Sequence, residues 1–265
     1  MQIRLFSVLV ALAASLLFAA CGKNDSARTG ASGSAQNQKI VVGLDDSFPP
    51  MGFRDEQHNI VGFDIDMARE AFKRMGCAVE FKPIDWNSKE AELSSKRIDV
   101  IWNGLTILEE RKEKIAFTDP YMENHQVIVV SSKSPIRTKD ALAGKVIGIQ
   151  EGSSAIDAVK RDTKAFESFS EMKTYADNVT ALMDLEIGRL DAVVVDEVVG
   201  RYYVAKKPEN YVILWEHFGT EEYGIGVRKD DTDLLERLQN VLNEMKRDGT
   251  AVHISRAWFG GNVIK

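Results

Sequence analysis

The stretch IWNGLTILEERKEK, Ile101–Lys114, gathers several chemistry-bearing residues into one short run. An apolar strand ends at Asn103-Gly104, and the chain passes through Thr106 into a helix with an acidic first turn. Arg111 stands just behind those acids. A planar guanidinium held at a strand end can grip an anion with two parallel hydrogen bonds, which a lysine ammonium cannot. Glu109, Glu110, Lys112 and Lys114 read as a solvated face, with the acids favourable at a helix start. Other apolar runs end in polar residues too: Asp45 and Asp46, Gln150 to Ser154, and Val195 to Glu197. Trp86, just before Asn87, adds an aromatic face at a strand end, worth roughly 0.5–2 kcal/mol against a cationic group. Phe48, beside Pro49-Pro50, is a second such aromatic, and a core role is nearly as good a reading of it.

The elements that must position these residues occur twice. KIVVGLDDS (Lys39–Ser47) and KVIGIQEGS (Lys145–Ser153) are similar, and KRIDVIWNG (Lys96–Gly104) matches GRLDAVVVD (Gly188–Asp196) more closely. The second pair shares arginine, an aliphatic residue, aspartate and then apolar positions. Each follows a helical stretch: Asn87 and Glu90 have cap-and-box spacing before AELSSK, and Asn178 precedes VTALMDLEI with Leu182 and Leu185 on one face. In GFDIDMAREAFKRMG, Ile65, Ala68, Ala71, Phe72 and Met75 follow helical spacing. Continuous apolar strands suit parallel sheets buried on both faces. Strand and helix alternating, twice over, predict an α/β chain with two similar lobes. Ligands of open α/β sheets sit beyond the carboxyl ends of strands, so the polar strand ends above are the candidates.

The chain has 265 residues, 44% hydrophobic and 28% charged, enough for one large domain or two modest ones. A net charge of −6 argues against a nucleic-acid binder. The four histidines lack ligand spacing, and GIGVRK lacks a phosphate-binding glycine pattern, so neither a metal nor a cofactor is expected. At the N-terminus, Arg4 precedes the apolar run LFSVLVALAASLLFAA, which ends at Cys21. This is the layout of a signal peptide, residues 1–20. Residues 21–38 carry almost no apolar side chains and read as a flexible tether with a reach on the order of 20–25 Å. Cys77 is then a buried thiol, with no disulfide framework.

Phe18-Ala19-Ala20-Cys21 resembles a bacterial lipobox, which implies cleavage before Cys21, diacylation (palmitate) and membrane anchoring. A plain secretory signal with a chance cysteine is the alternative. Further resemblance lies in VGFDIDMA (Val61–Ala68), GLTILEERKEKIAFTDPY (Gly104–Tyr121), LDAVVVDE (Leu190–Glu197), GVRKDD (Gly226–Asp231) and DGT…WFG. In this order and spacing, the chain from about Lys39 onwards resembles a family 3 solute-binding protein for polar amino acids. That group serves ABC transporters and includes lysine/arginine/ornithine-, histidine-, glutamine- and cystine-binding proteins. The resemblance implies a periplasmic-binding-protein-like fold with lobe 1 from 39–130 plus 223–265, lobe 2 from 131–222, and hinges near Val129–Ser132 and Glu222–Gly226. It implies an α-carboxylate site of Arg111, Gly104, Thr106 and, from the second lobe, Ser153. Asp196 would pair with the α-ammonium, and Trp86 and Phe48 would sandwich the side chain. Asp45 would meet the far end of that side chain, with Asn103 and Gln150 tuning specificity. A basic amino acid comes first, with glutamine or cystine open. The implied partners are an ABC permease and ATPase, with the protein a monomer on the extracytoplasmic face. A cyclohexadienyl-dehydratase-like enzyme, with Glu197 as its acid, and a sensor or surface antigen without transport are the competing readings.

Overall fold

The computed structural model describes Lys39–Lys265; the signal run, Cys21 and the tether lie outside the described residues. The chain opens with Lys39–Leu44 (β1), followed by a small antiparallel sheet of Ser47–Phe48 (β2), Gly52–Arg54 (β3) and Ile60–Val61 (β4). Phe63–Arg74 forms α1 and Ala78–Pro83 forms β5. Ile65, Ala68, Ala71 and Phe72 of α1 are fully buried, as their spacing predicts. Its first turn carries Asp64 and Asp66 and its last Lys73 and Arg74, matched to the helix dipole. Lys89–Ser94 (α2), Val100–Ile101 (β6), Glu109–Lys112 (α3) and Ile115–Phe117 (β7) follow, and then the long strand Met122–Ser131 (β8).

The next elements are Val146–Gln150 (β9), Ser154–Arg161 (α4), Thr163–Ser168 (α5), Glu171–Tyr175 (β10) and Asn178–Glu186 (α6). Ala192–Asp196 (β11), Glu197–Lys206 (α7) and Tyr211–Tyr223 (β12) complete this half. The chain then returns to the first half with Gly226–Arg228 (β13), Thr232–Arg247 (α8) and Thr250–Phe259 (α9).

Two five-stranded sheets result, ordered β5-β1-β6-β13-β7 and β10-β9-β11-β8-β12. Their centres are the parallel pairs expected of continuous apolar strands: β1 with β5 and β6, and β9 with β10 and β11. Every residue of β11 is buried. Antiparallel strands complete each sheet, and β8 and β12 lie side by side from Met122 opposite Tyr223 to Ser131 opposite Tyr211. Their near ends stay tied to the first half, since Met122 bridges to Ile264 and Tyr223 to Thr106. Cys77 is a free, buried thiol.

Two helix starts differ from expectation. Asp85, not Asn87, supplies the first cap: its carboxylate accepts from the Asn87 amide at 2.8 Å and opens a short 3₁₀ turn, Trp86–Ser88, ahead of α2. Asp177 likewise caps α6 through the Thr180 amide at 2.7 Å. The caps lie two residues before Asn87 and one before Asn178, because an aspartate in extended backbone reaches the N2 or N3 amide just as asparagine does. Asn178 is thereby freed to point elsewhere. The carboxyl ends of β1, β6, β9 and β11 converge between the two halves.

Candidate functional site

Arg111 is 5% exposed, although it lies in a four-residue helix amid charged neighbours. Its guanidinium donates to the Thr106 carbonyl at 3.0 Å and, across the cleft, to the Gly152 carbonyl at 3.1 Å. Both partners are neutral, so burial dominates and pushes the Arg111 pKa down. Thr106 is buried beside it, its hydroxyl 3.0 Å from that of Ser154 and donating to Glu221 Oε1 at 2.9 Å. Gly104 takes a left-handed backbone (φ 59°), and a Cβ there would meet the Phe48 ring at 2.8 Å. The Gly104 amide is held by Asp64 Oδ2 at 2.8 Å, and Asp64 also accepts from the Tyr121 hydroxyl at 2.9 Å.

Asp45, at the end of β1, accepts from the Ser47 amide at 2.8 Å and from Gln150 Nε2 of the opposite half at 2.7 Å. Burial raises its pKa to about 6 against the pull of those two hydrogen bonds. Asn103 Oδ1 accepts from the Asp45 amide at 3.1 Å, while Asn103 Nδ2 is buried without a partner. Asn178, released from capping, donates to Gln150 Oε1 at 2.9 Å and orients it. Trp86 is buried with the Lys89 ammonium 5.0 Å from its ring centre.

At the other end, Asp196 closes β11 and is 5% exposed. Its Oδ1 accepts from Asn124 Nδ2 at 2.7 Å, Gln126 Nε2 at 3.0 Å and the Tyr223 hydroxyl at 2.6 Å. Burial, then the neighbouring Glu221 charge, push its pKa up to about 8.

Most of the residues singled out in the sequence thus gather where the halves meet, with three differences of placement. Ser153 turns its hydroxyl back to the Gln150 carbonyl at 2.8 Å, and Ser154 is the hydroxyl that meets Thr106. Asp46 pairs with Arg54, and both line a separate cavity with Val179 and Tyr202 of the other half. Glu197 is engaged by His125 at 2.7 Å and by Arg201. Burial raises the Glu197 pKa, but those two partners outweigh it and hold the carboxyl below its ordinary value. Glu197 thus sits among ion-pair partners and not in the apolar surroundings that raise a catalytic acid's pKa.

Four residues of the cleft went unread in the sequence. Lys89, 3% exposed, donates to the Trp86 carbonyl at 3.1 Å and to the Gly152 carbonyl at 2.8 Å. Burial first, then the nearby Arg111 charge, lower its pKa to about 7. Asn124 and Gln126 are buried on β8, and Glu221 on β12. Their signal is the strand period of two: ENHQ sends Asn124 and Gln126 to one face, and TEEY sends Glu221 and Tyr223 inward.

The cleft thus sets a buried guanidinium among neutral carbonyls at one place and buried carboxylates at others, an arrangement fit for a small zwitterion. The L-cystine-binding protein TcyJ of Escherichia coli (strain K12) is 33% identical over 228 residues, covering 85% of this chain and 84% of that protein. The lysine/arginine/ornithine-binding periplasmic protein of the same organism is 30% identical over 238 residues, covering 87% and 91%. Among solved structures, a substrate-binding protein of an ABC uptake transporter from Streptococcus pneumoniae, with bound histidine, superposes with a TM-score of 0.82 at 36% identity. That match covers 86% of this chain and 94% of the other. The two-lobed α/β fold is shared with such amino-acid-binding proteins, and the relatives are binding proteins, not enzymes. Residues 40–261 match the profile of the bacterial extracellular solute-binding proteins, family 3, and the chain belongs to that family.

Proposed function

We propose that this protein captures a polar L-amino acid outside the cytoplasm by closing its two lobes, and delivers it to an ABC permease driven by its ATPase. The observation that carries the reading is the buried, carbonyl-bound Arg111 beside Thr106, with the buried Asp196 carboxyl in the same cleft. A free amino acid presents a carboxylate and an ammonium at fixed separation and needs both. In this reading Arg111, Gly104 and Thr106 hold the carboxylate, joined by Ser153 when its hydroxyl leaves the Gln150 carbonyl; Asp196 holds the ammonium, and Trp86 and Phe48 the side chain. Asp45 meets its far end, tuned by Asn103 and Gln150. A basic amino acid is favoured, because Asp45 accepts from a cation and repels a carboxylate. The relatives that bind lysine, arginine, ornithine or histidine support that order, and the cystine-binding relative keeps cystine open.

In the same proposal, lobe 1 spans 39–130 with 223–265 and lobe 2 spans 131–222. Residues 1–20 act as a signal peptide, lipidated Cys21 anchors the protein to the membrane, and the protein works as a monomer. The test of function is melting temperature against each common amino acid and cystine, after any carried ligand is stripped by unfolding and refolding. A ligand at 100 times its Kd stabilises by about 2.7 kcal/mol. The expected result is a clear rise confined to arginine, lysine, ornithine or histidine. A rise with cystine or glutamine alone overturns the basic preference, and no rise with any amino acid overturns the binding function. The competing reading is a cyclohexadienyl-dehydratase-like enzyme, and prephenate turnover would decide for it.

A further inference from the structure

Resting on the amino-acid-binding reading, we infer that Glu221 is a second carboxylate of the ammonium subsite, and that the ligand's ammonium displaces a proton which Asp196 holds against it. Asp196 on β11 and Glu221 on β12 flank β8, and both reach the side chains that β8 presents between them. Asn124 Nδ2 donates to Asp196 Oδ1 at 2.7 Å and to Glu221 Oε1 at 2.8 Å. Gln126 Nε2 donates to the same two oxygens at 3.0 and 2.7 Å. Two carboxylates bridged by the same pair of nitrogens, both buried, cannot both stay ionised without a cation between them. Among the described residues, neither forms an ion pair. The charged and titratable groups facing them are Arg111, which acts on Glu221 from a distance, and the Tyr223 hydroxyl on Asp196, with Tyr121 behind it.

The cluster also has the wrong balance of donors and acceptors. Glu221 Oε1 is saturated by Thr106, Asn124, Gln126 and Ser154, yet Glu221 Oε2 and Gln126 Oε1 are buried with no donor. Buried acceptors left unpaired are costly, and an ammonium supplies three N–H donors with one positive charge. It answers both deficits. Charge balances if one proton leaves Asp196 for solvent as one ammonium arrives. Burial and the Glu221 charge, which raise the Asp196 pKa to about 8, are consistent with that proton being present at neutral pH. The subsite then selects a free primary ammonium and rejects N-acetylated amino acids.

The test is calorimetric titration at pH 7 in buffers of different ionisation heat, using L-arginine, or L-cystine if arginine does not bind. Wild type is expected to release roughly 0.5–1 proton more per ligand than Glu221→Gln, because lone Asp196 loses the neighbouring charge. Asp45, Asp64 and Lys89, the other shifted groups around the cleft, act in both proteins and cancel in the difference. Glu221→Gln should also bind at least about 10-fold more weakly at pH 9. Equal proton release in the two proteins overturns the inference while leaving amino-acid binding intact. A tighter-binding Glu221→Gln also overturns it, by marking Glu221 as a competitor of the ligand's own carboxylate for Thr106 and Ser154. Should the variant not fold, Asp196→Asn takes its place: it is expected to release about one proton less per ligand than wild type at pH 7, and equal release refutes the proton exchange. If no amino acid binds the folded protein, the functional reading falls and this inference with it.

Discussion

Arg111 illustrates how a single residue's environment decides its role. A guanidinium that is 5% exposed and bonded only to carbonyls has lost water without gaining an anion, and a ligand carboxylate restores the missing charge-assisted bonds. Replacing Arg111 with alanine is expected to weaken ligand binding by about 1.5–3 kcal/mol, roughly 10- to 150-fold, in a calorimetric titration. Asp45 gives a prediction with a sign. With its pKa raised to about 6, it is mostly ionised at pH 7 and neutral at pH 5. A neutral carboxyl still hydrogen-bonds an amide but no longer attracts a cation. The ratio of arginine to glutamine affinity should therefore fall as the pH drops through about 6. Asp45→Asn should flatten that ratio while leaving the Asp196 behaviour in place.

At the scale of elements, the turn between β9 and α4 closes on the opposite lobe, and Gly152 is its contact point. Gly152 is left-handed (φ 69°), and a Cβ there would lie 2.7 Å from Asn87 Cα. Gly152→Ala should hold the lobes apart, weakening affinity about 10-fold or more and enlarging the particle in solution scattering. Gly144→Ala is the control: it is also left-handed (φ 71°), so it bears a similar backbone strain of roughly 1–2 kcal/mol, but nothing lies within 4 Å of its Cβ. Its affinity should match wild type. The strands, their polar ends and the apolar face of α1 were legible because each is a local pattern of period 2 or 3.6. Lys89 was not, since in NSKEAELSSK it reads as helix surface and is buried by contacts that include Gly152, 63 residues away. Glu221 was hidden differently, since Glu221 and Glu222 look alike until a register sends one inward. The exchange of Ser153 for Ser154 beside Thr106 is a one-residue matter of side-chain direction at a helix start, below what spacing can resolve.

For the molecule as a whole, the buried acids set how stability varies with pH. Asp64 is raised to about 7 and Asp196 to about 8, in each case by burial first. Between about pH 5 and 7 the folded chain holds protons on these groups that the unfolded chain has released, so stability falls as the pH rises. The ligand-free melting temperature should therefore decline across that interval, and Asp64→Asn should reduce the slope. Lys89, lowered to about 7, works in the opposite sense above neutrality. There the unfolded chain binds the extra proton, and stability recovers as the pH rises towards 10. The Gly152 carbonyl has a further consequence. It receives both the Arg111 guanidinium and the Lys89 amine, so these two donors hold the lobes together through a neutral dipole and not through a carboxylate. Mobile ions screen exposed charges over about 8–10 Å in ordinary media but reach buried contacts poorly. The grip of one lobe on the other should then be nearly indifferent to salinity, and the protein would close alike in dilute and in salty water.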